Sequence, residues 1–455
     1  MKYCLTKISK IKVLLCTFCI IVGSISNNSY AQKQQQKEDF TSQKWNLDDC
    51  INYAKAQNIK LQQKQLNYNS SQVDLKTAKA AILPSVQASI GENYSDNYFN
   101  NNSSTKNNYN GSYSISANWN LFKGGLIKNN IKLAKVNEQI SQLQLEQYSN
   151  EIQVSITQYY IQILYSIENV KINEQTVEVS LKQLNRAKEL LNVGSISKSD
   201  YAQMDAQYSS DKYNLVVSQS ILEENILNLK QLLELPPESN FEIVTPDIDE
   251  KKILEVIPSK LDVYRNALEL RPEINIEKLN ENSSQLNLKI AKSGYLPTVS
   301  LSASSGTSNM SGSNYSFGTQ LKNAWTNSIG LNVSIPIFSN RNNKSNVEKA
   351  ENNIKYSQLE LQNTQKELYQ TIENLYLEAK NAQEKFISAK EQYKSAQVSY
   401  ELLNEQFDLG MKNIVDLVQG KNTFLTSEQQ MLQSKYMALY NLQILKFYNG
   451  EPICL

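Results

Sequence analysis

In the stretch SIGLNVSIPIF (328–338), Ile329, Leu331, Val333, Ile335 and Ile337 alternate with the small or polar Gly330, Asn332 and Ser334. A period of two is the pattern of a strand with one apolar and one wet face. Three other stretches share it. Val86, Ala88, Ile90 and Tyr94 alternate with mostly polar residues. Tyr113, Ile115, Ala117, Trp119 and Leu121 alternate with Ser114, Ser116, Asn118 and Asn120. Val299, Leu301 and Ala303 alternate with Ser300, Ser302 and Ser304. The strands form two pairs, at about 85–122 and 298–338. The loop of the first, NNNSSTKNNYNG (100–111), is too polar to pack a core, and that of the second runs over 305–327.

Everywhere else the pattern is helical. Residues 126–192 contain neither proline nor glycine. Their apolar residues at Ile152, Ile156, Tyr159, Ile163, Ile167, Val170, Val177, Leu181, Leu184 and Leu191 follow spacings of three, four and seven, a coiled-coil seam. Residues 341–408 are equally free of breakers. A helix of about 67 residues is ~100 Å long, wider than an ordinary globular domain. Shorter helices are predicted over about 47–82, which Pro84 stops, and over 199–235 and 413–449. Another runs over about 272–295, with Pro272 in its first turn. Two short helices stacked end to end match one long one, so the chain predicts two-stranded rods.

The chain is a tandem repeat. Ala80–Val86 returns as Ser293–Val299 at an offset of 213, Leu121-Phe122 as Ile337-Phe338 and Val193-Gly194 as Leu409-Gly410 at an offset of 216. The first repeat spans 32–235 and the second 261–455. The link, 236–260, carries four prolines and is expected to form an irregular belt outside the rods.

Lys2, Lys7, Lys10 and Lys12, the apolar run Val13–Gly23 and Ser29-Tyr30-Ala31 make residues 1–31 read as a cleaved export signal. No later stretch is apolar for long enough to be a transmembrane helix. Cys50 and Cys454 remain after cleavage, either as a disulfide or, the favoured reading, as two free thiols. The formal charge is +1, with 46 basic and 45 acidic residues, which gives no footprint for nucleic acid. The chain has no histidine. The commonest general base and metal ligand are therefore missing, and no nucleophile–base pair stands out. The chain reads as neither an enzyme nor a cofactor binder.

Four strands of about ten residues can each cross a membrane but cannot close a barrel, and an open edge does not survive in lipid. Oligomers solve this: a dimer offers eight strands and a trimer twelve. Serine and asparagine on one face suit a water-filled lumen. The fold class is mainly α with a membrane β-barrel. The competing reading is a non-conducting, envelope-spanning coiled-coil rod of structural or adhesive function.

The tandem repeat, Leu83-Pro84 and Leu296-Pro297 before strands, Ser334–Phe338 closing one, and the two glycine turns together resemble the TolC-type outer-membrane efflux proteins. The resemblance runs from about Trp45 to Gly450. It implies a homotrimer with a shared twelve-stranded barrel in outer-membrane lipid and a helical tunnel in the periplasm. It also implies two partners, a periplasmic adaptor (membrane fusion) protein and an inner-membrane pump. The turns LNVGSISKSDYAQ and FDLGMKNIVDLVQ, with Gly194 and Gly410, would form a gated tip. Asp416 matches the first residue of the family's constricting acidic pair, and Gln419 holds the second position. Asp200 and Ser199 match positions that tie neighbouring helices shut, with Lys412 in place of the basic partner arginine and Phe407 in place of a gate tyrosine. Lysine lacks arginine's bidentate fork, which implies a looser latch. An N-terminal helix role for Asp416, with Asn413 as cap, is compatible with the constriction role.

Overall fold

The computed structural model describes residues 44–96, 107–236 and 238–455. In chain order they form α1 (Leu47–Gln57), α2 (Ile59–Ala80), β1 (Ser85–Asp96), β2 (Asn107–Lys123), α3 (Leu126–Asn192) and α4 (Lys198–Leu232). After the link come α5 (Glu250–Ile253), α6 (Lys260–Leu270), α7 (Pro272–Ser293), β3 (Thr298–Met310), α8 (Phe317–Asn323), β4 (Thr326–Ser334), α9 (Asn342–Asp408) and α10 (Ile414–Tyr448). The expected export signal 1–31 lies outside the described residues, as does much of the loop 100–111.

Each long helix carries two shorter ones. α2 and α4 pack on α3, while α7 and α10 pack on α9. The short helices meet end to end at a capped joint. Asn58 accepts from Leu61 N at 3.1 Å, capping α2, and donates through Nδ2 to Leu232 O at the end of α4, 3.2 Å away. The corresponding residue of the second repeat, 213 positions on, is Arg271. Its guanidinium lies 4.4 Å from the Tyr448 ring centre, at the end of α10. α7 also packs against α3, so it lies between the two long helices and joins the repeats.

Several boundaries differ from the sequence reading. The helix expected over 47–82 is two, because Asn58 takes an extended conformation (ψ 122°) to cap α2. The link is not wholly irregular: Asp249 caps α5, and α6 begins at Lys260 with Val263 and Ala267 buried on one face. Ile243 and Ile253 enter the main apolar core with Trp45, Ile156, Tyr160, Leu229 and Leu439. β2 begins inside the expected loop, and β3 runs on to Met310, where α8 shields the edge left by the shorter β4. Met310 N donates to Gln320 Oε1 at 2.9 Å there. β4 stops at Ser334 rather than 338, ahead of Pro336, which has no N–H to donate. The α3 seam also changes beyond Val170. Its buried residues become Asn173, Thr176, Ser180, Leu184 and Ala187 rather than Val177 and Leu181. The first three bond back to carbonyls of their own helix, which lets small polar side chains be buried.

The strands form one antiparallel sheet in the order β1-β2-β3-β4. Opposite pairs such as Val86↔Ala117, Ala88↔Ile115, Leu301↔Leu331 and Val299↔Val333 gather the apolar side chains on one face. On the other, Ser89 and Ser114 approach to 2.7 Å and Ser304 and Ser328 to 2.8 Å. From Ser85 to Ser95, Asn108 to Asn120, Ser300 to Ser308 and Thr326 to Ser334, that face carries Ser, Thr, Asn, Gln and Gly and no charge. The two-faced reading of these strands holds. Among the described residues no helix is long and apolar enough to cross a membrane.

Candidate functional site

At the end away from the sheet, both long helices stop at a glycine. Gly194 and Gly410 have φ of 75° and 72°. A Cβ at either would meet nothing within 4 Å, so it is the left-handed backbone alone that calls for glycine. Ser195 N donates to Leu190 O and Met411 N to Gln406 O, both at 2.8 Å, closing the helix ends.

The next helices start from different caps. At α4, Asp200 N donates to Ser197 Oγ at 3.1 Å while Ser197 N donates to the Asp200 carboxylate at 3.0 Å, a reciprocal capping box. At α10, Asp416 N donates to Asn413 Oδ1 at 2.8 Å, and the Asp416 carboxylate faces Lys412 Nζ at 3.7 Å. Within one chain, therefore, Lys412 reaches Asp416, and Asp200 reaches Ser197. Ser199 and Gln419 are exposed. Gln419 lines an open groove with Gln203, Gln392, Val415, Asn422 and Thr426.

Beneath the turns, Leu184, Ala187, Met204, Ile414 and Leu417 form a small core that spans both repeats, and Phe407 packs against it. Polar ties flank it. Arg186 Nη1 lies 2.5 Å from Asp408 Oδ1, joining the ends of α3 and α9. Gln183 Nε2 donates to Tyr400 Oη at 3.2 Å, and the Tyr400 ring stacks on Phe424 at 5.5 Å. Deeper still, Lys421 on α10 pairs with Asp211 on α4 at 2.8 Å. Gln207 Nε2 donates to the other Asp211 oxygen at 2.8 Å. Sequence reading missed this pair. Its signal was the heptad Met204, Asp211, Ser218 and Asn225, whose four residues are all buried.

The tip is built for mechanical closure rather than bond chemistry: paired helix turns, an apolar cross-brace and polar ties between repeats. Among the described residues no cluster of three or more His, Cys, Asp or Glu could hold a metal ion.

The model of the family described as "Outer membrane efflux protein" matches residues 50–234 and 263–451, one match per repeat. The outer membrane protein TolC of Escherichia coli K12 is 22% identical over 411 residues, covering 88% of this chain and 81% of TolC. The crystal structure of the Vibrio cholerae outer membrane protein VceC superposes with a TM-score of 0.74 at 14% identity, covering 90% of this chain and 97% of VceC. The open-state structure of the MtrE outer membrane channel of Neisseria gonorrhoeae gives 0.73 at 15% identity, covering 89% and 88%. These likenesses favour a duct over a coiled-coil rod. The chain belongs to the outer membrane efflux protein family, as a transport duct of the outer membrane and not an enzyme.

Proposed function

We propose that three copies of this chain close their sheets into one twelve-stranded barrel, continued by a helical tunnel into the periplasm, with a passive gate at the tip. The supporting observation is the sheet itself: β1 and β4 are edge strands, one face is apolar, and the other is polar and uncharged. Unpaired edges are intolerable in lipid, so the chain is incomplete until another copy covers them. Two copies or three would serve; the family's homotrimer selects three.

In this reading Asp416 and Gln419 line the constriction, and Asp200, Ser199, Lys412 and Phe407 hold it shut. Asp416 in three copies surrounds a narrow axis and favours cations, with Lys412 beside each carboxylate moderating the field. Lacking chemistry of its own, the duct depends on an inner-membrane pump and a periplasmic adaptor for energy and coupling. Val193, Leu409 and Met411, exposed at the turns, give the adaptor an apolar tip to grip.

The test is the native mass of the detergent-extracted protein with and without heating. A three-chain assembly that heat dissociates is expected. A monomer, or an oligomer that needs no detergent, would overturn the barrel.

A further inference from the structure

We infer that the internal repeat prescribes the seam between copies residue by residue: β4 of one copy pairs with β1 of the next, Val333 opposite Ile90 and Ser334 opposite Ser89. This rests on the closure proposed above and specifies the surface that closure uses.

The repeat is accurate enough to serve as a template. Within the first hairpin Ser85 faces Asn118 and Ala88 faces Ile115. Adding the offsets, 213 for the first strand and 216 for the second, gives Thr298 facing Ser334 and Leu301 facing Leu331. Both are pairs of the second hairpin. The hairpins are therefore equivalent in register as well as in topology.

The chain contains one junction between hairpins, β2 with β3, where Ala117 faces Ala303, Asn118 faces Ser302 and Tyr113 faces Thr307. Carried over by the same offsets, β2 becomes β4 and β3 becomes β1 of the next copy. The pairs become Val333 with Ile90, Ser334 with Ser89 and Ile329 with Tyr94. Every one keeps apolar opposite apolar and polar opposite polar, which a one-residue slip would destroy. The equivalence is drawn for strand positions up to Ser334. At the joint beyond, Gly124 has Ser293 O only 2.7 Å from where a Cβ would lie, and its counterpart is Asn340, so strict copying stops there.

The helices carry the same pattern independently. α7 is covered by both α3 and α9, whereas its counterpart α2 packs on α3. α2 consequently exposes a seven-residue stripe, Ile59 (53%), Leu66 (63%) and Val73 (56%). The matching α7 residues Pro272 and Leu286 are buried and Leu279 is half-buried. On α9, Tyr356 and Leu359 are exposed at 67% and 63%, while their α3 counterparts Ile140 and Leu143 are half-buried. The stripe on α2 and the patch on α9 are the two halves of an α3–α7 contact that a single chain makes once. A second copy supplies the missing partner, and no other occupant is matched to both helices and both strand edges.

The experiment is oxidative cross-linking in lipid, in a Cys454→Ser background, with native mass read on the same samples. Ser89→Cys with Ser334→Cys is expected to shift the denatured protein from single chains to covalent multimers. Gln87→Cys with Ser334→Cys and Asn93→Cys with Asn332→Cys lie on the same polar face but test slips of two residues in opposite directions. Their separations of about 7–8 Å exceed what a disulfide spans, so they should stay largely single. Cross-links from a slipped pair instead, in an intact assembly, would overturn the register. An assembly that cross-links at none of the three pairs would overturn the strand seam. A single-chain native mass would overturn the closure itself.

Discussion

Lys421 Nζ and Asp211 Oδ2 are 2.8 Å apart, and both side chains are only 3% exposed although they come from different repeats. Gln207 completes the carboxylate's bonding. The pair therefore ties α4 to α10 just beneath the apolar core of the tip. Removing one partner leaves the other charged and buried, which costs about 3–5 kcal/mol, whereas replacing both with apolar groups is often neutral. Lys421→Met alone should strongly lower the urea midpoint of unfolding, and Asp211→Leu with Lys421→Met should recover most of the loss. Equal loss in the single and double variants would show that the pair does not act as a unit.

The turn glycines make a separate prediction. Gly194→Ala and Gly410→Ala should each destabilise by about 1–2 kcal/mol, the cost of a left-handed backbone for a residue with a Cβ. Asparagine should recover part of that. Because a Cβ finds open space at both positions, the cost is conformational and not steric. Thermal unfolding of the four variants checks this. Alanine variants as stable as the parent would contradict it.

The two thiols should behave differently. Cys50 is buried and Cys454 exposed, and neither is paired. Burial, helped by the neighbouring Asp49 charge, pushes the Cys50 thiol up from 9.0 to about 12. At pH 8 a maleimide should label one thiol in the folded protein, Cys454, and a second only after denaturation. The linkage sign follows: the folded state holds the Cys50 proton more tightly, so this stabilising contribution is complete below pH 9 and lost as pH rises toward 12. A Cys50 that reacts in the folded state would show that the core around Trp45 and Ile51 opens readily.

Asp416→Asn should weaken cation preference without weakening the cap, since it is Asn413 that accepts from the Asp416 backbone N–H. The reversal potential across a salt gradient reads this directly. An unchanged preference would place the selective charge elsewhere.

Much of the architecture was readable because it is repetitive and strongly patterned. A run of 67 residues without glycine or proline can hardly be anything but helix, and period-two strands declare their faces. The glycine turns were equally plain. Less visible were features that depend on residues far apart in sequence. Asp211 and Lys421 read as solvent-facing because nothing local says that two polar helix positions 210 residues apart will meet in a dry seam. Arg186 and Asp408 were hidden likewise. The break at Asn58 was missed because asparagine fits a polar helix surface as well as a cap, and only Leu232 at the end of α4 makes the cap worthwhile. Of the proposed latch residues, Lys412 and Asp200 spend their contacts within their own helix starts, which a motif match could not foresee.

The central claim is a gated duct, and single-channel conductance of the purified protein in planar bilayers tests it most directly. The parent should form channels of small, cation-favouring conductance, and Lys412→Gln or Asp200→Asn should raise that conductance by loosening the tip. Bilayers that stay silent with the parent and with both variants would contradict the duct, and channels whose conductance neither substitution changes would contradict the gate.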